Sequence, residues 1–126
     1  MSDIRVKPIT LRRDGRGPLK FNGERIGAAS RNQSIDDDSG ESKSYEISTR
    51  LYQTPSGKYV AGLEVYNRSD ETYETRDGWM GATLEELCEK MQRTTPSGAA
   101  AWFDDDILAE LFEKTVIADR FVEQID

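Results

Sequence analysis

Residues 45–66 read YEISTRLYQTPSGKYVAGLEVY, and this stretch decides the fold of the chain. Apolar and polar residues alternate on both sides of Pro55-Ser56-Gly57, which is a turn sequence. Such alternation is typical of two antiparallel strands that bury one face. We therefore predict a hairpin here. Its register is well specified because a slip of one residue would turn the apolar face to water.

The segments on either side of this hairpin predict more strands. Apolar and polar residues alternate from 4 to 11, with Pro8 marking an edge strand because proline cannot donate to a sheet ladder. A short strand is expected at residues 72–76, ended by Asp77-Gly78. Residues 28–44 are rich in serine, asparagine and aspartate without an apolar period, which predicts a mobile loop.

After residue 82 the apolar spacing changes from two to about 3.6 residues, the period of a helix. Thr83 and Glu86 fit a capping box, in which Glu86 reaches back to the Thr83 amide, and predict a helix over 83–93. Three aspartates at 104–106 favour the start of a second helix over 104–119. Strands at about 3–76 followed by helices predict one α+β domain, 1–126. Its antiparallel sheet has four to five strands, with two C-terminal helices packed on one face.

The chain has no histidine and one cysteine, Cys88. Triad hydrolases and most catalytic zinc sites need histidine, and an internal disulfide needs two cysteines. We therefore expect no catalytic residues, no metal ligands and no cofactor, and a buried structural thiol at Cys88. No apolar run is long enough for a membrane helix, so we expect a cytoplasmic protein with no membrane partner.

The acidic clusters do not fit metal-binding templates. Counted from Asp36, Gly40 falls at position five, whereas a calcium loop of the EF-hand type needs glycine at position six. The aspartates at 104–106 are explained by helix capping. A pair of carboxylates could serve a glycosidase, but nothing in the spacing of the 24 acids selects two of them. A carboxylate-dependent enzyme stays an alternative.

Charge is unevenly distributed along the chain. Residues 1–33 carry a net charge of +5 and residues 34–126 a net charge of −12. Either the two sets pair internally or they form partner surfaces. The basic cluster could bind nucleic acid through phosphate contacts. It consists of Arg5, Lys7, Arg12, Arg13, Arg16, Lys20 and Arg25.

The leading functional hypothesis is a non-enzymatic protein-binding module. It could be a phage or mobile-element regulator, or an inhibitor of a host defence complex in the manner of an anti-CRISPR protein. An acidic face on the two helices would occupy a basic groove of the partner. This acidic face consists of Glu85, Glu86, Glu89, Asp104, Asp105, Asp106, Glu110 and Glu113. Nucleic-acid binding by the basic cluster is the alternative, and a homodimer is possible.

Three short motifs resemble those of the EXLDI family of small prokaryotic proteins. Residues 21–27, FNGERIG, resemble its F-x-G-x-x-hydrophobic-G strand, and residues 83–87, TLEEL, resemble its helix start. The final residues, EQID, are similar to E-x-L-D-I, with isoleucine in place of leucine and the last motif position missing.

The resemblance implies a bacterial, phage or mobile-element origin and a sheet-plus-helix module. It implies no catalytic residues. No stretch of residues 1–126 resembles the ribbon-helix-helix segment of longer members, so we do not expect DNA binding through such a segment.

Overall fold

The computed structural model describes residues 6–36, 38–93 and 102–117. Within these ranges, five strands form an antiparallel sheet in chain order and two helices pack on it, which confirms the predicted α+β class. The elements are β1 (Lys7–Arg13), β2 (Arg16–Asp36), β3 (Ser42–Gln53), β4 (Tyr59–Asn67), β5 (Thr72–Gly81), α1 (Leu84–Gln92) and α2 (Asp105–Leu111).

The predicted hairpin is β3 and β4, and its apolar face carries the main core. Ile47 pairs with Val65 and Leu51 pairs with Ala61, so alternate residues of both strands point to the same side. Buried residues of the two helices complete this core, namely Leu84, Leu87, Cys88, Met91, Ile107, Leu108 and Leu111. Within the described ranges, no helix is long and apolar enough to cross a bilayer.

The other face of the sheet is partly covered by a second hairpin. Strand β2 pairs with β1 as far as Gly23 and with β3 from Glu24 onward, so the first half of β2 and all of β1 leave the main sheet together. Leu11 of β1 is buried above Gly62, where an added Cβ would lie 3.0 Å from its methyl carbons. A small second core with Tyr52 and Val60 results.

Hydrogen bonds fix the tip of the β1–β2 hairpin to β5. The Asp14 amide donates to the Arg76 carbonyl over 2.8 Å, and the Arg76 amide donates to Asp14 Oδ2 over 2.8 Å. The reciprocal pair satisfies main-chain groups at the edge of the sheet. The hairpin is therefore held at its tip as well as by Leu11.

Both helices approach the sheet closely at glycines. A Cβ at Gly81 would lie 2.6 Å from the Leu87 amide nitrogen of α1, and one at Gly27 would meet the Leu111 carbonyl oxygen of α2. Gly27 follows a β-bulge in which Ile26 is the extra residue, and Ile26 packs against the main core. The glycines therefore set how near the helices lie.

Three predicted boundaries are wrong, namely those of the loop at 28–44, of the strand at 72–76 and of the second helix. Residues 28–44 are not a loop, because β2 continues to Asp36 and β3 begins at Ser42. Their side chains are largely exposed, so the ladder to β3 supports this hairpin without an apolar period. Strand β5 also runs past 76 to Gly81, because Gly78 fits beneath Leu11.

The second helix is shorter than predicted. It ends at Leu111, and its C-cap residue Phe112 is fully buried. The Thr115 hydroxyl donates to the Phe112 carbonyl over 2.7 Å, so the β-branched residues that follow form a turn. The predicted end at 119 lies outside the described residues. The first helix agrees with its prediction to within one residue at each end.

Candidate functional site

The predicted basic cluster lies on and around the β1–β2 hairpin. Lys7, Arg12 and Arg13 belong to β1, and the other described members belong to β2. Arg5 lies outside the described residues. The side chains separate into two open grooves, one at each end of β1, because the strand carries them about 20 Å apart at 3.3 Å per residue. Arg12 and Lys20 line neither groove.

The first groove, here the Tyr52 groove, lies where β2 leaves the main sheet. It has a volume of about 570 Å³. Three cations line it, namely Lys7, Arg25 and Arg50, together with Glu24 and the apolar surfaces of Ile9 and Tyr52. Arg50 was missed by the sequence analysis. Its position on the polar side of the alternating β3 pattern is the sequence signal for it. Arg50 joins other cations only because β2 pairs with β3.

The second groove, here the Met80 groove, lies between the hairpin tip and α1 and has a volume of about 460 Å³. It joins two predicted cations to two that were missed, and apolar side chains lie between them. The cations are Arg13, Arg16, Lys90 and Arg93, and the apolar residues are Leu19, Trp79 and Met80. No local sequence pattern links residues 13–16 to residues 90–93, because only the folded hairpin brings them together.

Main-chain and side-chain oxygens orient the cations of the Met80 groove. Arg13 Nε donates to the Gly17 carbonyl over 2.7 Å, and Lys90 Nζ donates to the Met80 carbonyl over 2.7 Å. Arg16 pairs with the buried Asp77 over 2.5 Å. An arginine that spends one donor on such a contact keeps other N–H groups for a ligand. The groove is therefore partly preorganised.

A narrow pocket lies between the two grooves. Arg12 and Arg50 line it, and so do Glu64 and Asp77. Its volume of about 10 Å³ holds about one water molecule. Asp77 Oδ1 also accepts from the Gly78 amide over 2.8 Å, so this carboxylate has a structural role. A sugar ring does not fit between these two acids.

Several residues of the acidic face have local structural roles. Asp104 Oδ1 accepts from the Ile107 amide as the N-cap of α2, and Thr83 caps α1 as predicted. Glu86 accepts from the Ala82 amide over 3.2 Å, one residue before the expected Thr83 amide. Glu110 pairs with Arg31 over 2.5 Å. Such contacts use carboxylates that the sequence analysis assigned to a partner.

The remaining members of the acidic face point to solvent. Glu85, Glu89 and the aspartates at 105–106 are exposed, as is Glu113 after the end of α2. Glu89 lies 3.9 Å from Arg93, a distance at the limit of an ion pair. These residues share the side of the sheet that the helices cover. The structure thus retains a reduced acidic face.

Glu86 and Arg31 have shifted pKa values. Hydrogen bonds from Lys90 and the Ala82 amide lower the pKa of Glu86, and the Glu110 hydrogen bond raises the pKa of Arg31. Both shifts result from contacts that favour the charged form of the group. Neither holds a carboxyl protonated near neutral pH, which a general acid would need.

The other sequence candidates are structural in the described part of the chain. Cys88 is buried in the main core, and its thiol donates to Gln92 Oε1 over 3.4 Å. Asp36 accepts from the Ser42 hydroxyl and so closes the β2–β3 hairpin. Within residues 6–36, 38–93 and 102–117, no group of three acidic, histidine or cysteine residues could hold a metal ion.

No protein family matches the chain, and neither curated proteins nor solved structures give a significant match. The EXLDI resemblance stays a prediction. Functional inference therefore depends on the geometry of the two grooves and of the acidic face.

Proposed function

We propose that this protein is a non-enzymatic module that binds nucleic acid through the surface around β1. This basic surface consists of Lys7, Arg12, Arg13, Arg16, Arg25, Arg50, Lys90 and Arg93. The observation that carries the proposal is the convergence of eight cations from three strands and α1 on one hairpin. Phosphate contacts of this kind dominate nucleic-acid affinity.

The cations of this surface are largely available to a ligand. Within the described residues, the five that lie on strands at 7, 12, 13, 25 and 50 have no ion pair. Arg16, Lys90 and Arg93 have acidic neighbours but remain at the groove surface. A phosphate would therefore not have to displace a carboxylate from most of them.

The net charge of −7 does not oppose this proposal strongly. Sheet layers pack about 10 Å apart, so the outer surface of the helices lies about two layers from the hairpin. The Debye length is about 8 Å at physiological ionic strength. Most of the repulsion from the acidic face is therefore screened at the Tyr52 groove, whereas Lys90 and Arg93 of the Met80 groove lie directly beside acidic residues of α1. The expected cytoplasmic location belongs to the same proposal.

The test is fluorescence anisotropy with a labelled oligonucleotide of about 30 nucleotides at about 50 and 200 mM salt, where counterion release differs strongly. The variant R13Q/R93Q removes two cations of the Met80 groove, and R25Q/R50Q removes two of the Tyr52 groove. The control K58Q/R68Q changes the net charge equally at exposed positions outside both grooves and outside the basic cluster.

Each groove variant should bind more weakly than the wild type. It should also reduce the slope of log affinity against log salt by about 1.4, because each of the two lost phosphate contacts contributes about 0.7. The control should bind like the wild type. Equal losses in all three variants would assign the effect to net charge and contradict a specific surface. No binding by the wild type at about 50 mM salt would overturn the proposal.

A protein partner at the acidic face is the second proposal. The exposed side chains of Asp105 and Asp106 in α2 and of Glu89 in α1 support it, because they extend from two helices on the same side of the sheet. A regulator or inhibitor of a host defence complex would fit such a surface. The variant D105N/D106N should lose a stoichiometric partner captured at low salt. Capture that is unchanged in this variant would reject this face as the interface.

A binding role rather than catalysis forms part of both proposals. The pocket that contains Glu64 and Asp77 has room for about one water, and Arg16 holds Asp77. This arrangement supports a structural use of the carboxylate pair.

A further inference from the structure

Both grooves of the basic surface combine cations with apolar side chains that water can reach. Met80 is 40% exposed and lies in its groove with Leu19 and the cations of α1. In the Tyr52 groove, Ile9 is half-buried beside Lys7. Exposed apolar surface flanked by cations matches a ligand that presents both phosphates and flat apolar rings. In a duplex, the rings are stacked inside and only their edges face a protein.

The two grooves also require a ligand that can bend. They lie at opposite ends of β1, and the pocket between them is lined by Arg12 and Arg50. The path between them runs about 20 Å along the hairpin at 3.3 Å per residue. Duplex DNA is stiff over about 150 base pairs, so it cannot bend to enter grooves at both ends of β1 without a large deformation energy.

The spacing of the grooves sets the length of the ligand. At about 3.4 Å of rise per nucleotide, 20 Å corresponds to about six nucleotides. Each groove has the volume of a small-ligand site, between about 300 and 1,000 Å³. One or two bases could therefore occupy each groove while the backbone passes Arg12 and Arg50.

We infer that the basic surface binds single-stranded nucleic acid, with bases against Met80 and Leu19 in one groove and against Ile9 in the other. The inference rests on the proposed function, and it adds the class of ligand and the residues that contact the bases. Arg13 and Lys90 are already held by the main-chain carbonyls of Gly17 and Met80, so they lose little freedom when a phosphate binds.

The experiment compares a 12-nucleotide single strand with a blunt duplex of the same sequence, both at about 50 mM salt. The variant M80S removes an exposed apolar side chain without changing charge. The matched control I35S does the same at a residue that is 38% exposed and lines neither groove. Circular dichroism shows whether each variant folds.

The expected result is affinity for the single strand at least tenfold above that for the duplex. M80S should weaken single-strand binding by about fourfold, the loss expected for roughly one buried methylene group, and I35S should not. Duplex binding equal to single-strand binding, with no effect of M80S, would overturn the inference and leave the proposed function standing. Failure of both ligands to bind would overturn both.

Discussion

The basic surface and the acidic face contain eight charged residues each, but the fold uses them differently. On the acidic face, Asp104 and Glu86 accept hydrogen bonds from main-chain amides at the helix starts. The first amides of a helix lack partners within the helix, so nearby carboxylates take that role. In strands the ladder satisfies the main chain. Within the described residues, Arg12, Arg25 and Arg50 have no ion pair, although the strand cation Arg16 has one. Capping at the helix starts therefore reduces the acidic face, and no such demand falls on the cations of the strands.

The largest expected effect in this comparison comes from loosening the hairpin that carries the cations. Leu11 is 8% exposed and packs over Gly62 and Gly78. L11A should lower the free energy of unfolding by about 2–5 kcal/mol, because a buried leucine side chain is truncated. It should also weaken nucleic-acid binding, although no charge changes. Urea denaturation and anisotropy measure the two effects.

The control for this variant is I35A, because Ile35 is an exposed aliphatic residue on the distal part of β2. It should change the unfolding free energy by less than about 0.5 kcal/mol, as is usual for surface positions. If folded L11A binds nucleic acid as tightly as the wild type, the basic surface does not depend on the packing of the hairpin.

The packing of α2 on the sheet depends on the close approach of its main chain to β2 at Gly27, and G27A tests this. The new methyl group would meet the Leu111 carbonyl oxygen, so the end of α2 must move away from β2. We expect a loss of about 1–3 kcal/mol, typical of overpacking. The matched control is G17A, where nothing lies within 4 Å of the added Cβ. Equal stability of the two variants in urea would show that α2 shifts without cost.

The sequence predicts the elements of this fold better than their limits. The β3–β4 hairpin and both helix starts follow from local patterns, because alternation and capping act within a few residues. The exposed arm formed by β2 and β3 could not be predicted, because its main-chain ladder needs no apolar period. The basic cluster was visible as a charge run. The grooves were not, because Arg50, Lys90 and Arg93 reach them only through tertiary packing.

A smaller effect separates capping from charge on the acidic face. Asp104 and Asp105 are adjacent and equally charged, but Asp104 is the N-cap of α2. D104A should lower the unfolding free energy by about 1 kcal/mol, because an orphan amide loses its acceptor. D105A removes only the interaction with the helix dipole and should cost about 0.5 kcal/mol. Thermal unfolding of both variants checks this order. A larger loss in D105A would mean that charge outweighs capping.

The smallest effect concerns Glu86, whose pKa is lowered from 4.5 by Lys90 and the Ala82 amide. A carboxyl with a lower pKa in the folded state stabilises the fold above its unfolded pKa, and this contribution is lost as pH falls through the folded value. E86Q should therefore be slightly less stable than the wild type at pH 7, and the two should converge as pH falls below 4.5. Glutamine can still accept from the Ala82 amide, so the difference reports the charge interaction with Lys90.

E113Q, at an exposed carboxylate beyond the end of α2, is the control in the same pH series of thermal unfolding. A difference between E86Q and the wild type that persists unchanged at low pH would show that Glu86 acts through its shape and not through its charge.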